Sequence, residues 1–417
     1  MIFARVLLAG LFAVLVVGIV RAEDSTNTIQ PETVPQLLSI EWSTGPDLPQ
    51  GFQDSDGGVI ENWLVTACGF CSGREEDNQR KPGRYPRGFL NKTWALNLDD
   101  LDKGWQTLPE FPGSARQGVG AVTFDDSLCF WGGFSYDAPY SYADGWRLRR
   151  SSGRWTWDTL PALPWKNATV SLTVIGTHIY AFGGADYNAE AFFTETDRTG
   201  EIPRLGARLL RLDATDPSAG WRDLPECPGT PRWVNSFAAV AGKLYVIGGA
   251  SGNVVQDGTN YGYCTVVDNW RFDPVTGEWT RLADLPVSSG NFPRSSNAVY
   301  RNRYILLPGG HQYDSVLNPD GSVRPKYGQA SRRNPGSGLH NDVFVYDTHE
   351  QLFGRADSLP IDNNLPMTVV RDDEIFLLGG ETGSGIVDGE FYGHHPDLFL
   401  RGRISETITP SQNNQRP

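Results

Sequence analysis

Lys243-Leu244-Tyr245-Val246-Ile247-Gly248-Gly249 is the stretch that decides the fold of this 417-residue chain. An apolar run leads directly into two glycines, and the pattern occurs five more times, once with a cysteine in place of the first glycine. The six pairs begin at Cys68, Gly132, Gly183, Gly248, Gly309 and Gly379, so successive copies lie 51 to 70 residues apart. Self-similarity at this period, with a β-rich run in every unit, predicts a propeller of repeated four-stranded sheets.

A second repeat, an aromatic residue followed by Leu-Pro, runs out of phase with the glycine pairs. Its first copy, Trp42…Leu48-Pro49, precedes the first glycine pair, and no copy follows Gly380. The simplest explanation is that the segment around Ile40-Glu41-Trp42 supplies the outer strand of the last unit, because this leaves no free sheet edge. The sequence therefore predicts an all-β, six-bladed β-propeller over residues 39–404, closed by an N-terminal outer strand.

The two ends of the chain do not follow the repeats. Residues 1–22 combine a basic start, an apolar run and a small-residue cleavage site, which is typical of a secretory signal peptide. A retained N-terminal anchor is the alternative. Residues 23–38 and 405–417 are polar and predict a flexible leader and a disordered tail. We therefore expect a secreted or periplasmic protein with no membrane span after signal cleavage.

Charge and cysteine content narrow the classes of function. The formal net charge of −13 argues against nucleic acid as a partner, because nucleic acid requires clustered basic surface. Cys68 and Cys71 have the spacing of a redox or zinc motif, but no second pair or matched histidine accompanies them. Small buried side chains are the better interpretation of these cysteines. The sequence predicts no metal site and no cofactor.

Three units carry long polar insertions after the glycine pair, at residues 70–92, 185–207 and 311–341. Loops of this length inside a compact repeat are usually functional or disordered. All three fall between the second and third strands of their units, so we expect them to emerge on one face. That face is the predicted binding face, and simple capping of the ring is the alternative.

Polar residues occupy equivalent positions 15 or 16 residues before the first glycine of each pair. Because the first strand of every blade lines the central channel, these side chains are expected to form a ring near one mouth. Three arginines there would suit a carboxylate, since a guanidinium binds a carboxylate through two parallel hydrogen bonds. The alternative is that they bond backbone carbonyls between blades. The ring comprises Gln53, Arg116, Asn167, Arg232, Arg294 and Asn363.

Residues directly after the glycine pairs supply the few candidates for chemistry. Glu381 is the one carboxylate at this place in the repeat, and His311 is the one histidine. A carboxylate at the channel mouth can act as a general base on a bound ligand. The alternative is a solvated residue, or one paired with an arginine of the ring. We predict Glu381 as the catalytic residue if chemistry occurs, and His311 as a binding residue.

The glycine pairs, the Trp…Leu-Pro motifs and the N-terminal closing strand resemble the kelch superfamily across almost all of residues 39–404. Within it, the chain is similar to the bacterial N-acetylneuraminate epimerase (sialic acid mutarotase) group. The shared features are the insertions 185–207 and 311–341 and the final Gly379-Gly380-Glu381-Thr382. The stretch Phe111-Pro112-Gly113-Ser114-Ala115-Arg116 is also similar. The resemblance implies an exported six-bladed propeller that acts on an acidic sugar.

One position departs from that group. Its proposed proton acceptor is a glutamate just after the fourth glycine pair, and the matching residue here is Ala250, which cannot transfer a proton. Kelch motifs specify architecture better than chemistry. Two functions therefore stay open: a sugar epimerase-type isomerase acting on an acidic sugar, and a non-catalytic propeller that binds a glycan or a protein through the long-loop face.

Overall fold

The computed structural model describes residues 34–74, 85–187, 192–193, 205–294 and 298–407. The predicted signal peptide lies outside these residues, as do most of the leader and the tail. The first strand begins at Leu38 and the last ends at Glu406, slightly beyond the predicted limits of 39 and 404. Val34, before the first strand, is also buried. Within the described residues, helical structure is limited to single 3-10 turns, which confirms the all-β class. These turns are Leu101–Lys103, Leu205–Ala207 and Pro217–Ala219.

Within the described residues, six four-stranded antiparallel sheets follow the sequence repeats, and we number them sheet 1 to sheet 6. The first three, each from its first to its fourth strand, are Asp56–Ile60, Trp63–Ala67, Thr93–Asn97 and Gln106–Thr107; Gln117–Phe124, Ser127–Phe134, Gly145–Ser151 and Arg154–Leu160; and Ser171–Ile175, His178–Phe182, Leu209–Asp213 and Arg222–Leu224. The last three are Ser236–Val240, Lys243–Ile247, Trp270–Asp273 and Glu278–Arg281; Val299–Tyr300, Tyr304–Pro308, Val343–Asp347 and Leu352–Ala356; and Met367–Arg371, Glu374–Leu378, Phe399–Glu406 and Leu38–Thr44.

Sheet 6 takes its fourth strand from the beginning of the chain. Leu38–Thr44 pairs antiparallel with Phe399–Glu406, and Trp42 lies opposite Gly402. The order of the two sequence repeats predicted this pairing. Asp357 at the end of sheet 5 accepts hydrogen bonds from the Ser39 hydroxyl and the Ile40 backbone N–H, at 2.7 and 2.8 Å. The N-terminal strand is thus held by the sheet that it completes and by the sheet next to it.

The apolar core is divided among the interfaces between sheets. Each of six clusters joins two neighbours: sheets 1 and 2, 2 and 3, 3 and 4, 4 and 5, 5 and 6, and 6 and 1. The last of these packs Phe376 and Phe399 of sheet 6 with Leu64 and Trp94 of sheet 1. The first strand of each sheet also contacts the first strand of the next, and that of sheet 6 contacts sheet 1.

The Trp…Leu-Pro repeat is explained by a contact between units. Trp105 in the first unit donates its indole N–H to the carbonyl of Pro46, at 2.9 Å. Trp157 does the same to Pro109 at 3.0 Å, and Trp279 to Pro225 at 2.9 Å. In these three units the tryptophan therefore holds the proline-containing turn of the unit before it.

The glycine pairs are required by the backbone and by the packing. Gly379 has a φ of +59° and Gly380 a φ of +102°, conformations that other residues rarely adopt. A Cβ on Gly380 would lie 2.0 Å from Oδ1 of Asn363, so no side chain fits there. In sheet 6 this kink ends the second strand at Leu378. We call the end of the sheets at which the glycine pairs lie the glycine end.

The inserted segments build further sheets at the glycine end. Ala250–Gln256, Thr259–Val266, Ser315–Leu317 and Val323–Pro325 form a seventh four-stranded sheet of the described residues, outside the repeat pattern. Its middle pairing is parallel and joins the fourth unit to the fifth. The sequence predicted long insertions in the first, third and fifth units but missed this one in the fourth, because its alternating pattern blends into the repeat. Two-stranded ladders complete the end: Phe70–Cys71 with Gly88–Phe89, Asp186–Tyr187 with Phe192–Phe193, Asn363–Asn364 with Glu381–Thr382, and Gly385–Val387 with Glu390–Tyr392.

Candidate functional site

Four residues of the predicted polar ring share one structural contact. Each donates a side-chain N–H to the carbonyl oxygen of the first glycine in its own unit, at 2.8 to 3.2 Å. That carbonyl sits at the kink, so a side chain supplies the hydrogen bond that a buried backbone oxygen requires. The four donors are Arg116 to Gly132, Asn167 to Gly183, Arg232 to Gly248, and Asn363 to Gly379.

Arg116 and Arg232 are also committed to carboxylates of their own units. Arg116 pairs with Asp144 at 2.6 Å, and Arg232 pairs with Asp268 at the same distance. Each aspartate also accepts the indole N–H of the tryptophan two residues later. Burial raises the pKa of the Asp268 carboxyl, but Arg232 and the hydrogen-bond donors outweigh burial and hold that pKa below its usual value. Both arginines therefore stabilise the structure of their own units.

Arg294 follows a different course. Its guanidinium donates to the carbonyls of Gly118 and Val119 in sheet 2, at 2.8 and 2.9 Å, and forms a buried ion pair with Asp54. Burial raises the pKa of Asp54, and the charge of Glu381 adds to that rise while Arg294 opposes it. Arg294 thus joins the segment before sheet 5 to the entries of sheets 1 and 2. Each of these guanidinium groups has its own protein partners in this structure, and the convergence of Arg116, Arg232 and Arg294 on one ligand carboxylate stays a prediction.

The residues that follow the glycine pairs do gather at the glycine end. They pair with the segments that lead into the first strands, as in the bridges of Phe70 to Gln53 and of His311 to Gly290. The series is apolar in the first four units and polar in the last two. Its members are Phe70, Phe134, Ala185, Ala250, His311 and Glu381. Ala250 is fully buried, so its position offers no place for a reacting group.

Glu381 forms an acid–base pair with a histidine that the sequence did not single out. Oε1 of Glu381 lies 3.4 Å from Nε2 of His394, and Oε2 accepts a hydrogen bond from Nδ2 of Asn364 at 3.1 Å. Nδ1 of His394 faces the carbonyl of Thr382 at 3.2 Å, and a carbonyl can only accept, so Nδ1 carries a proton. Nε2 then faces the Glu381 carboxylate at ion-pair distance.

One aromatic stack lies on the His311 side of this pair. His311 packs against Tyr313 at 4.3 Å between ring centroids, Tyr313 against Tyr263 at 5.7 Å, and Tyr263 against Trp233 at 6.1 Å. Asn291 donates to the Tyr313 hydroxyl at 2.8 Å. Burial lowers the pKa of His311, which therefore carries no charge at neutral pH. The charge of Glu381 acts to raise the pKa of His311 against this burial, so the stack lies within electrostatic reach of that carboxylate.

A second aromatic cluster lies on the side of the first two units. Tyr136, 47% exposed, contacts Phe70, Phe89 and Phe134 at 4.8 to 6.4 Å between centroids. Burial raises the pKa of Tyr136, and the charges of Asp54 and Glu381 act in the same direction, which puts this ring within electrostatic reach of both carboxylates. Glu381 also adds to the raised pKa of Tyr313. The two aromatic groups therefore flank the Glu381–His394 pair.

Two arginines near these rings have no carboxylate partner among the described residues. Arg332 donates to the carbonyl of Ser337 at 3.1 Å and to Oε1 of Gln312 at 2.8 Å, both neutral. Arg87 lies over the ring of Phe70, with its Cζ 5.2 Å from the centroid. Neither position belongs to the repeat, so counting from the glycine pairs could not find them. Both charges are available to an anionic ligand.

A serine–histidine–aspartate arrangement also occurs, but away from solvent. Nε2 of His340 hydrogen-bonds the Ser289 hydroxyl, and its Nδ1 lies 3.6 Å from Oδ2 of Asp342. Ser289 and His340 are both 0% exposed, so no substrate reaches the hydroxyl. Burial lowers the pKa of His340 to about 3. The group packs beneath the fifth glycine pair as part of the core.

The described residues contain no cluster of three or more histidine, cysteine or acidic side chains that could bind a metal ion. All five cysteines are buried. The described part of the chain likewise lacks any helix with the length and apolar character to cross a membrane.

Comparison with known proteins agrees with this architecture. Residues 235–286 match the Kelch motif. An N-acetylneuraminate epimerase of Haemophilus influenzae is 24% identical over 84% of this chain and 90% of its own length, and one of Yersinia enterocolitica is 37% identical over 43% and 48%. The solved structure of YjhT aligns with a TM-score of 0.58 at 15% identity, over 86% of this chain and 97% of that one. The chain thus carries a Kelch motif and resembles N-acetylneuraminate epimerases over most of its length, as the glycine and Leu-Pro repeats had indicated.

Proposed function

We propose that sheets 1 to 6 are the blades of a six-bladed propeller over residues 39–404, closed by the N-terminal strand. Two observations support this: the first strands contact one another in cyclic order, and six apolar clusters join each sheet to the next, including sheet 6 to sheet 1. The glycine end is then one mouth of the central channel, and Arg294 with Asp54 lies in that channel. The aromatic clusters and the Glu381–His394 pair surround the mouth.

At this mouth the protein binds an acidic sugar of the N-acetylneuraminate class. The observation that carries the proposal is the Glu381–His394 pair flanked by Tyr136 and Tyr313. Aromatic rings pack against the apolar face of a sugar, while a few convergent polar groups fix its orientation. Arg332 and Arg87 take the place of the predicted arginine ring, because their charges have no carboxylate partner among the described residues. The sugar class is that of the N-acetylneuraminate epimerases that this chain resembles.

The same pair suits epimerase chemistry at an anomeric centre. Opening a sugar ring requires removal of the anomeric hydroxyl proton and delivery of a proton to the ring oxygen as the C–O bond breaks. Glu381 accepts the first proton, and His394, protonated at Nε2, donates the second. Closure on the opposite face of the carbonyl reverses both transfers and returns the pair to its starting state. A carboxylate and an imidazole at this distance can perform both roles, one as the base and the other as the acid.

A non-catalytic propeller that binds glycan or protein is the second candidate. It is favoured by Ala250, which is fully buried at the position where the resembling group has its proposed proton acceptor. Under this alternative, the aromatic clusters and arginines bind the sugar, and Glu381 contributes only hydrogen bonds. The two candidates share the site and differ in whether Glu381 transfers a proton.

Replacing Glu381 by glutamine separates them. We expect E381Q to slow interconversion of N-acetylneuraminate anomers about 100-fold, because an amide cannot accept the proton, while sugar affinity changes little. Anomer exchange followed by NMR gives the rate, and calorimetric titration gives the affinity. E390Q removes an exposed carboxylate from the neighbouring hairpin and should change neither. Equal rates for wild type and E381Q, with binding retained, would leave the non-catalytic binder.

We also propose that residues 1–22 direct export and are cleaved after Ala22. The proposal rests on their charge and apolar pattern alone. N-terminal sequencing of the protein purified from its source should begin at Glu23. A mature chain that starts at Met1 would contradict cleavage and favour a retained anchor.

A further inference from the structure

A cavity of about 360 Å³ opens at the glycine end, and the residues that follow the Glu381–Thr382 strand form one of its walls. This volume falls within the range of small-molecule sites. Three loops line the cavity. They are residues 333–335 of the fifth-unit insertion, residues 360–362 before the strand Asn363–Asn364, and residues 383–386 after the strand Glu381–Thr382. We call it the side cavity. No step of the proposed sugar chemistry uses it.

The walls of the side cavity are held in place by two contacts between loops. Asp362, 1% exposed, accepts the backbone N–H of Arg333 at 2.8 Å and of Asn334 at 2.7 Å. Nδ2 of Asn334 donates to the carbonyl of Gly383 at 3.0 Å. A buried carboxylate with two backbone donors fixes its loop firmly. The cavity is therefore formed before any ligand arrives.

The lining combines one available cation with apolar surface. The guanidinium of Arg333 has no ion pair or side-chain hydrogen bond among the described residues, whereas its backbone is anchored by Asp362. Pro335, Pro360 and the 68% exposed Ile386 contribute the apolar walls. An anion with an apolar face fits this combination, because Arg binds a carboxylate bidentately and the walls bury the ring that carries it.

The side cavity and the proposed sugar site are parts of one segment. The hairpin Gly385–Val387 with Glu390–Tyr392 begins four residues after Glu381 and ends two residues before His394. The Thr382 hydroxyl donates to the carbonyl of Gly393 at 2.6 Å and closes the base of this hairpin. One wall of the cavity is therefore covalently continuous with both members of the acid–base pair.

We propose that the side cavity is a second subsite that binds the next unit of an acidic glycan, with the carboxylate of that unit paired to Arg333. This inference rests on the proposed function: the reducing unit lies at Glu381, and the adjoining acidic unit lies in the cavity. The substrate class is then an acidic disaccharide or longer chain rather than the free monosaccharide alone. Ile386 and the two prolines cover the apolar face of the second ring.

Calorimetric titration of the full chain tests the subsite. The two ligands are N-acetylneuraminate and the disaccharide of two linked N-acetylneuraminate units. Wild type should bind the disaccharide more tightly than the monosaccharide. R333A should weaken disaccharide binding about tenfold, the effect of losing one charged hydrogen-bond partner, and R333E should weaken it further. Both variants should bind the monosaccharide as wild type does. R154A, which removes an exposed arginine from the outer strand of sheet 2, controls for the loss of charge.

Two results would overturn the subsite while the proposed function stands: disaccharide binding no tighter than monosaccharide binding, or R333A and R333E affinities equal to wild type for both sugars. Equal weakening for both sugars would also overturn it and place Arg333 in the first site instead. Failure of wild type to bind either sugar would refute the proposed function, and the subsite with it.

Discussion

R232A should lower the free energy of unfolding by about 3–5 kcal/mol, because it removes one member of a fully buried ion pair. The side chains of Arg232 and Asp268 are 0% and 1% exposed, so the remaining carboxylate would keep its neutral donors, the Trp270 indole and the Thr230 N–H, but would have no counter-charge and no water. The carbonyls of Gly248 and Asp268 would also lose a donor. Chemical denaturation of wild type and variant measures the difference.

R116A provides the matched control. It breaks the equivalent pair in sheet 2, but the side chain of Asp144 is 37% exposed, so water can solvate the carboxylate that remains. We expect a clearly smaller loss of stability from R116A than from R232A. An R232A protein as stable as wild type but unable to bind sugar would restore the ligand role that the sequence suggested for this arginine.

Acidification from pH 7 to pH 5 should destabilise the protein by about 2 kcal/mol for each of two buried histidines. Burial lowers the pKa of both His340 and His395 to about 3. In the unfolded chain these residues bind protons below about pH 6.5, whereas the folded protein does not bind them until about pH 3. Their contribution is therefore fully present above pH 6.5 and is lost as the pH falls towards 3.

The melting temperature measured between pH 7 and pH 5 checks this expectation. His395 accepts the backbone N–H of Ser72 through Nδ1 at 2.8 Å, so H395Q keeps an acceptor and removes the titration. That variant should show roughly half of the pH dependence assigned to the two histidines. H349Q changes an exposed histidine and should leave the dependence unaltered. Melting temperatures that stay constant over this range would refute the assignment.

The sequence predicted the sheets well because their causes are local and periodic. A positive-φ kink that glycine adopts in five of the six units, and an aromatic residue that in three units bonds a proline turn of the unit before, follow the period of the sheets, so both are visible as repeats. The same periodicity has a structural cause at the position of the arginines. Position 16 before the glycine needs a donor for a kinked carbonyl, and arginine or asparagine satisfies that need without a ligand. The Asp-x-Trp sequences at Asp144 and Asp268 were the available sign that Arg116 and Arg232 had partners.

The candidate site was predicted only in part. Glu381 and His311 follow glycine pairs, so the repeat located them. His394, Tyr136 and Arg332 lie on segments that have no equivalent in the other units, and their approach to Glu381 depends on how those segments pack. Long-range packing of unique loops leaves no periodic trace in a single sequence. The fold could therefore be read with more certainty than its chemistry.

The strand exchange in sheet 6 constrains the order of events during folding. Ser43 and Arg401, which are bonded across the two strands, are separated by 358 positions. The ribosome releases the N-terminal strand first, so its backbone donors and acceptors wait until nearly all of the remaining chain has been made. Pairing at such separation is slow, since the entropy of closing a long loop precedes any gain from contacts. Sheets 1 to 5 can assemble progressively, whereas we expect sheet 6, which joins both ends of the chain, to form last. Until then its unpaired N-terminal strand is exposed to chaperones and proteases.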